Sequence, residues 1–284
     1  MAKFSFFDFL EVPGTIYILD IGAAVLKSER EQYAALLAAD RAHVYACEPD
    51  ATARAELSRH YPKNLTVLPD ILGDGRPATW YGTNCAATSS LFEPNRELLD
   101  LFPSIGDFTR LVKATRVETK KLDDCAGIAD CDFIKIDVQG AEIQVLANGT
   151  GVLDKATVIQ TEVCFVPLYK HQPLFGDVDL LMRAHGYMFH TLAGAAARPI
   201  YPMPFTDERR PWMNQFAWGD AVYVRDFTRL DAAATGKLLK LAALLHEFWG
   251  SYDLAAFILG EADKRLGTRH QANYVVRLSK FGLL

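Results

Sequence analysis

Cysteine is scarce and unpatterned. The five residues (Cys47, Cys85, Cys125, Cys131, Cys164) are odd in number and show no close pair, so neither a disulfide framework nor a zinc site of paired spacing is encoded. Cys47 and Cys164 fall inside apolar, strand-like runs and read as small core residues. Apolar runs of bilayer length are missing too, which excludes an integral membrane segment. The aromatic start (Phe4, Phe6, Phe7, Phe9) is broken by Lys3 and Asp8 and lacks the apolar centre of a signal peptide. The expectation is a cytoplasmic protein whose N-terminal aromatics pack onto the domain. Basic runs are also absent: 30 Lys and Arg stand against 35 Asp and Glu, a net charge of −5, which argues against a nucleic-acid partner. What remains is a chain of 284 residues, half of them hydrophobic, with material for a large core and no internal repeat.

In chain order, an apolar strand over 15–19 ends in Asp20-Ile21-Gly22-Ala23-Ala24. Ser28 with Glu31 makes a capping box, which predicts a helix running to Asp40. A second strand, 43–47, delivers Glu48 and Pro49; a helix over 51–60 and a third strand, 65–68, lead to Asp70. This alternation is that of a doubly wound parallel sheet with right-handed crossovers. Glu48 lies 28 residues beyond Asp20, placed to accept both hydroxyls of a ribose, while Gly22 lets the backbone approach a cofactor closely. A dinucleotide needs Gly-x-Gly-x-x-Gly to seat its pyrophosphate, and here a single glycine is followed by Ala24 and Leu26. A cofactor carrying an amino acid and a sulfonium in place of phosphates fits that loop better.

The centre of the chain is Phe133 to Gly149. Its apolar start reads as a buried strand that delivers Asp137 to the carboxyl end, Gly140 permits a sharp turn, and a helix over 141–147 follows with Ile143, Leu146 and Ala147 on one face. The run Lys135-Ile136-Asp137-Val138-Gln139-Gly140-Ala141-Glu142 resembles the signature of the FkbM family of S-adenosylmethionine-dependent methyltransferases. Asp20-Ile21-Gly22-Ala23 and Glu48-Pro49 match further family positions, whereas Ala24 and Leu26 replace the family's Asn and Gly. Thr88-Ser89-Ser90-Leu91, Leu122-Asp123-Asp124 and Phe165-Val166-Pro167-Leu168-Tyr169 resemble additional family blocks, so the likeness spans about 15–225.

The resemblance implies a class I methyltransferase fold: α/β, Rossmann-like, with a mostly parallel seven-stranded sheet over 15–228, preceded by an extension, 1–14, and followed by a helical appendage, 229–284. Strands at 78–81 and 112–119 are expected to pair as a hairpin insert, with 92–110 as a loop or lid between them. The later strands are expected at 156–160, delivering Glu162, and at 186–189 and 218–225, with a helix over 177–184. Two amphipathic helices are expected around 238–249 and 254–266, as a cap or as the face of a homo-oligomer.

The implied activity is O-methylation of a hydroxyl on a carbohydrate or secondary metabolite, the acceptor being a small molecule or glycan. The cofactor-binding set is Asp20, Gly22, Ala23, Glu48, Pro49, Asp70, Ser89 and Asp137, with Ser89 and Ser90 equally suited to capping a turn. Asp137 is the first catalytic candidate, because a carboxylate there suits a cationic sulfonium; Glu162 or His171 is the candidate base, with Glu142 nearby. A divalent metal shared by Asp137 and Glu162 is chemically open, although no ligand spacing indicates one. Three alternatives stand beside this. A nicotinamide dehydrogenase shares the Asp20/Glu48 geometry, a non-catalytic cofactor-binding protein is suggested by Ala24 and Leu26, and an RNA or protein methyltransferase is disfavoured by the missing basic runs and Asn-Pro-Pro-Tyr block.

Overall fold

The computed structural model describes residues 4–23, 32–206 and 209–284. Its strands are β1 (Ile16–Ile21), β2 (Ala42–Cys47), β3 (Leu65–Leu68), β4 (Ala78–Thr83), β5 (Leu111–Val117), β6 (Phe133–Ile136), β7 (Val158–Cys164), β8 (Tyr187–Ala197) and β9 (Phe216–Arg225). Seven of them form one sheet in the order β3-β2-β1-β6-β7-β9-β8, and only β9 runs antiparallel to its neighbours within it. β4 and β5 pair antiparallel as a separate ribbon, the hairpin insert expected from the sequence. The class I methyltransferase architecture is therefore the one observed.

The strands of the parallel half place apolar residues on both of their faces because helices cover both sides of the sheet. On one face Ile16, Ile18, Val44, Phe133, Val158 and Val222 join a core completed by helices from the end of the chain. On the other, Leu19, Ile21, Ile134, Ile136 and Ile159 pack with Val145, Leu146, Leu153 and Met182. The helices in order are α1 (Ala34–Ala38), α2 (Ala51–His60), α3 (Arg96–Leu99), α4 (Ile105–Phe108), α5 (Glu142–Leu146), α6 (Thr150–Leu153), α7 (Phe175–Ala184), α8 (Thr235–Leu244), α9 (Tyr252–Leu266) and α10 (His270–Lys280). α2 starts where Asp50 accepts the Ala53 N–H at 2.8 Å, a side-chain cap for an otherwise unpaired donor.

Several expectations change. Ser28, Glu31, Ala24 and Leu26 lie outside the described residues; the helix after β1 is described over Ala34–Ala38. The expected loop 92–110 contains two short helices, α3 and α4. β7 continues to Cys164, because β9 pairs with it as far as Cys164↔Trp218, so Glu162 sits inside a strand rather than beyond one. The buried face of α5 runs through Glu142, Val145 and Leu146, with Ala147 exposed, because Glu142 turns inward to the backbone. The C-terminal region holds three α-helices rather than two, and its first is followed directly by a π-helical turn, Leu245–Trp249.

α8 is buried on every side, from Leu238 through Leu244, because the sheet lies beneath it and α9 and α10 lie outside it. Phe4 and Phe6 are buried in the same layer, so the N-terminal aromatics do pack onto the domain. Among the described residues no helix is long and apolar enough to cross a membrane.

An ionic anchor pins this layer to the sheet. Asp132, fully buried before β6, accepts the Tyr17 N–H at 2.8 Å and pairs with Lys237 at 2.7 Å and Lys240 at 2.9 Å. Lys240 also donates to the Thr15 carbonyl at 2.6 Å. Removing the acid leaves the buried Lys240 ammonium with only the Thr15 carbonyl as acceptor and unpairs the Tyr17 N–H, while Lys237 keeps Asp130. Asp132→Ala is thus expected to destabilise the fold by about 3–5 kcal/mol, measured as a shift in the urea midpoint; an unchanged midpoint would show that the lysines find other partners.

Candidate active site

The carboxyl ends of β1, β2 and β6 are tied by backbone bonds. The N–H groups of Gly22 and Ala23 donate to the Cys47 carbonyl at 3.0 and 3.3 Å, and the Asp137 N–H donates to Ile21 O at 3.0 Å. This crossing demands glycine at position 22: its φ is +85°, and a Cβ there would stand 2.0 Å from the Asp137 carbonyl oxygen. β6 and β1 therefore approach so closely that Asp137 and the loop after β1 belong to one crevice, where ligands of open α/β sheets bind.

Glu48, buried at the end of β2, accepts the Asp50 N–H on Oε1 at 2.7 Å. Its Oε2 makes no hydrogen bond to a described residue. Burial raises its carboxyl above the usual range. Pro49 is half-buried and its carbonyl accepts from Arg54. Asp20 is fully enclosed and both of its oxygens are engaged, Oδ2 by the Tyr33 hydroxyl at 2.6 Å and Oδ1 by Lys135 at 3.4 Å. Facing Asp20 first and Asp137 second, the Lys135 ammonium is held well above its ordinary value and stays charged. Asp70 pairs with Lys120 at 3.2 Å beyond β3.

Past Asp137 the chain makes a tight turn, with Gln139 at φ +55° and Gly140 at φ +98°. The turn is held from inside: Glu142 Oε1 accepts the N–H groups of Val138 at 2.9 Å and Gly140 at 3.2 Å. It also throws the Gln139 side chain over the crevice. Its amide donates to Asp137 Oδ1 at 2.7 Å and to Glu162 Oε2 at 3.2 Å, while the Tyr169 hydroxyl lies 2.9 Å from its Oε1. The Ser90 hydroxyl donates to the Gln139 carbonyl at 2.6 Å. Neither Gln139 nor Tyr169 stood among the candidate site residues; the family block that contains Tyr169 was the available signal.

The expected residues divide accordingly. Asp137 and Glu162 come together, with Glu142 completing a group whose carboxylate oxygens lie within 4.8 Å of one another. Such a group of oxygen ligands can hold a divalent cation. Ser89 serves its own turn, accepting the Thr83 N–H at 3.1 Å, and Ser90 is the serine that reaches the central turn. His171 is exposed, at φ +60° beside Tyr169, and makes no hydrogen bond to the acids. Burial, then the charges of Asp137, Glu142 and Asp220, raise the Glu162 carboxyl. Burial and Asp137 push Glu142 up to about 7. Burial and neighbouring charge thus raise the proton affinity of both glutamates.

Residues 20–189 match a family model described as the methyltransferase FkbM domain. A curated relative, the 2-O-methyltransferase NoeI of Sinorhizobium fredii, is 36% identical over 113 residues, covering 38% of this chain; the chain spans 42% of that relative's length. Among solved structures, the magnesium protoporphyrin IX methyltransferase ChlM of Synechocystis PCC 6803, solved with bound SAM, is 13% identical with a TM-score of 0.36, covering 74% of this chain and 70% of its own. The 23S rRNA methyltransferase ErmE is 12% identical with a TM-score of 0.35, covering 87% and 76%.

Because the Glu142 carboxyl moves from an ordinary 4.5 to about 7 on folding, the folded chain holds a proton that the unfolded chain has lost across that interval. Stability conferred by that proton is full below the lower value and falls as pH rises toward the upper one. In chelator-containing buffer, Glu142→Gln, which keeps an acceptor for Val138 and Gly140, is expected to flatten the decline of Tm across this window. Parallel curves for the two proteins would place the proton elsewhere.

Proposed function

The chain belongs to the FkbM methyltransferase family, and we propose that it moves the methyl group of S-adenosylmethionine onto a hydroxyl oxygen of a small carbohydrate or secondary metabolite. The nicotinamide alternative is set aside by that membership. Similarity to a 2-O-methyltransferase supports oxygen as the accepting atom.

The residues of the crevice suit the donor. Glu48 offers an acceptor-only carboxylate whose Oε2 bonds no described residue, which suits a ribose diol. Asp137, beside the two raised glutamates, presents a carboxylate favourable to a sulfonium. When bound, S-adenosylmethionine supplies an electrophilic methyl on positively charged sulfur.

The observation that carries the proposal is the Gln139 amide bridging Asp137 and Glu162. One amide group binds both acids, so their spacing and direction are fixed before any substrate arrives. Asp137 then faces the donor's charge, while Glu162, whose burial raises its proton affinity, takes the proton of the attacking hydroxyl. The oxygen–carbon bond forms as the sulfur–carbon bond breaks, and Glu162 holds the released proton. We place the base at Glu162 rather than His171, which stands exposed on its turn. Alignment of the two reactants supplies much of the remaining acceleration.

Methyl transfer from labelled donor to a panel of sugars and glycolipid precursors tests this. Glu162→Gln is expected to lower turnover by about 10²–10⁴-fold while donor binding by calorimetry holds. Glu48→Gln is expected to weaken donor binding with little further loss at saturation. Unchanged turnover in Glu162→Gln would remove it as the base.

A further inference from the structure

A cavity of about 400 Å³ opens on the sheet face beneath the C-terminal helices, walled by Gln32, Gln160, Thr191, Asp220, Phe248 and Trp249. That volume lies within the roughly 300–1,000 Å³ of small-molecule sites. The donor contacts described above do not use it.

Strand parity ties the cavity to the acids. Gln160 and Glu162 are two apart on β7 and share the face on which Val158 packs, so their side chains are separated by roughly 7 Å of strand. Asp220 lies opposite Glu162 in the β7–β9 register, and Thr191 lies beside Val222 of the same face. The cavity therefore adjoins Glu162.

Its lining is chemically mixed in a specific way. Trp249 is half-buried, with its ring held edge-on by Phe133 and Phe248, each 5.5 Å away, and its indole N–H donating to Gln160 Oε1 at 3.3 Å. It ends the π-helical turn, a local widening of the helix that recurs at functional sites, and Gly250 at φ +60° closes it. A flat indole beside a carboxylate, an amide and a hydroxyl meets a ring that is apolar on its C–H faces and hydroxylated at its rim.

Resting on the reading of this chain as an O-methyltransferase, we propose that this cavity is the acceptor subsite and that it takes a pyranose ring stacked on Trp249, with Asp220, Gln160 and Thr191 binding its hydroxyls and one hydroxyl directed to Glu162. This selects a sugar over a hydrophobic secondary metabolite as the acceptor.

The test uses the full chain with S-adenosylhomocysteine present and methyl pyranosides of glucose, galactose, mannose and fucose as probes, read by saturation-transfer NMR. At least one glycoside is expected to bind. Trp249→Ala and Asp220→Asn are each expected to weaken it by about tenfold or more, Trp249→Phe less, with donor affinity by calorimetry unchanged. Thermal melts of Trp249→Phe and Asp220→Asn check that the packing around Phe133 survives. Glycoside binding retained in both Trp249→Ala and Asp220→Asn would overturn the assignment. Failure of every glycoside to bind wild-type protein would overturn the pyranose while intact donor binding left the methyltransferase reading standing; loss of donor binding would count against that reading itself.

Discussion

Three carboxylates with oxygens within 4.8 Å of one another repel, and most of the architecture around them manages that repulsion. Glu142 is stabilised by two backbone N–H groups and Asp137 and Glu162 by one shared amide. Neither device neutralises the charge; each only directs it. Burial first, and the neighbouring charges second, raise the proton affinity of Glu142 and Glu162, while the Lys135 ammonium faces Asp20 and Asp137. On the proposed reading, Asp137 meets the donor's cation and Glu162 accepts the proton.

The rigidity that keeps such a cluster from relaxing comes from the backbone. Gly22 allows β1 to touch the Asp137 carbonyl, and the left-handed pair Gln139 and Gly140 turns the chain immediately afterwards. These conformations persist because the surroundings over-determine them: Ser90 holds the Gln139 carbonyl and the Tyr169 hydroxyl meets its side chain, both from segments distant in sequence. The insert carrying Ser90 and the loop carrying Tyr169 thus act as props for the central turn.

The parts of this that could be read from residues alone are those that repeat locally. Short, mostly apolar runs leading to acids marked β1, β2, β3 and β6, because a strand covered on both faces carries apolar residues on both. Asp137 and Glu48 followed, since a strand end is a position that a short motif can encode. Gln139 was not legible: its role depends on a positive φ and on contacts 30 and 49 residues away, neither of which a linear pattern contains. Glu162 was placed one step too far out, because strand length here is set by the antiparallel β9, which arrives more than fifty residues later. α8 read as amphipathic although it is buried on all sides; the second cover comes from helices that follow it in the chain, α9 and α10.

The C-terminal helices also wall the cavity beside Gln160. A sheet tip alone offers only loops, and loops position side chains less firmly than packed helices do. Here the layer is bolted to the strands by Asp132 with Lys237 and Lys240, at the end of the sheet away from the acids. The same helix then runs toward the carboxyl ends and widens into its π-helical turn where it reaches Gln160. The anchor and the aromatic wall are thus two ends of one stiff element. A substitution at Asp132 should for that reason be felt at Trp249 as well as in overall stability, since the C-terminal helices wall the cavity beside Gln160 as well as covering the sheet.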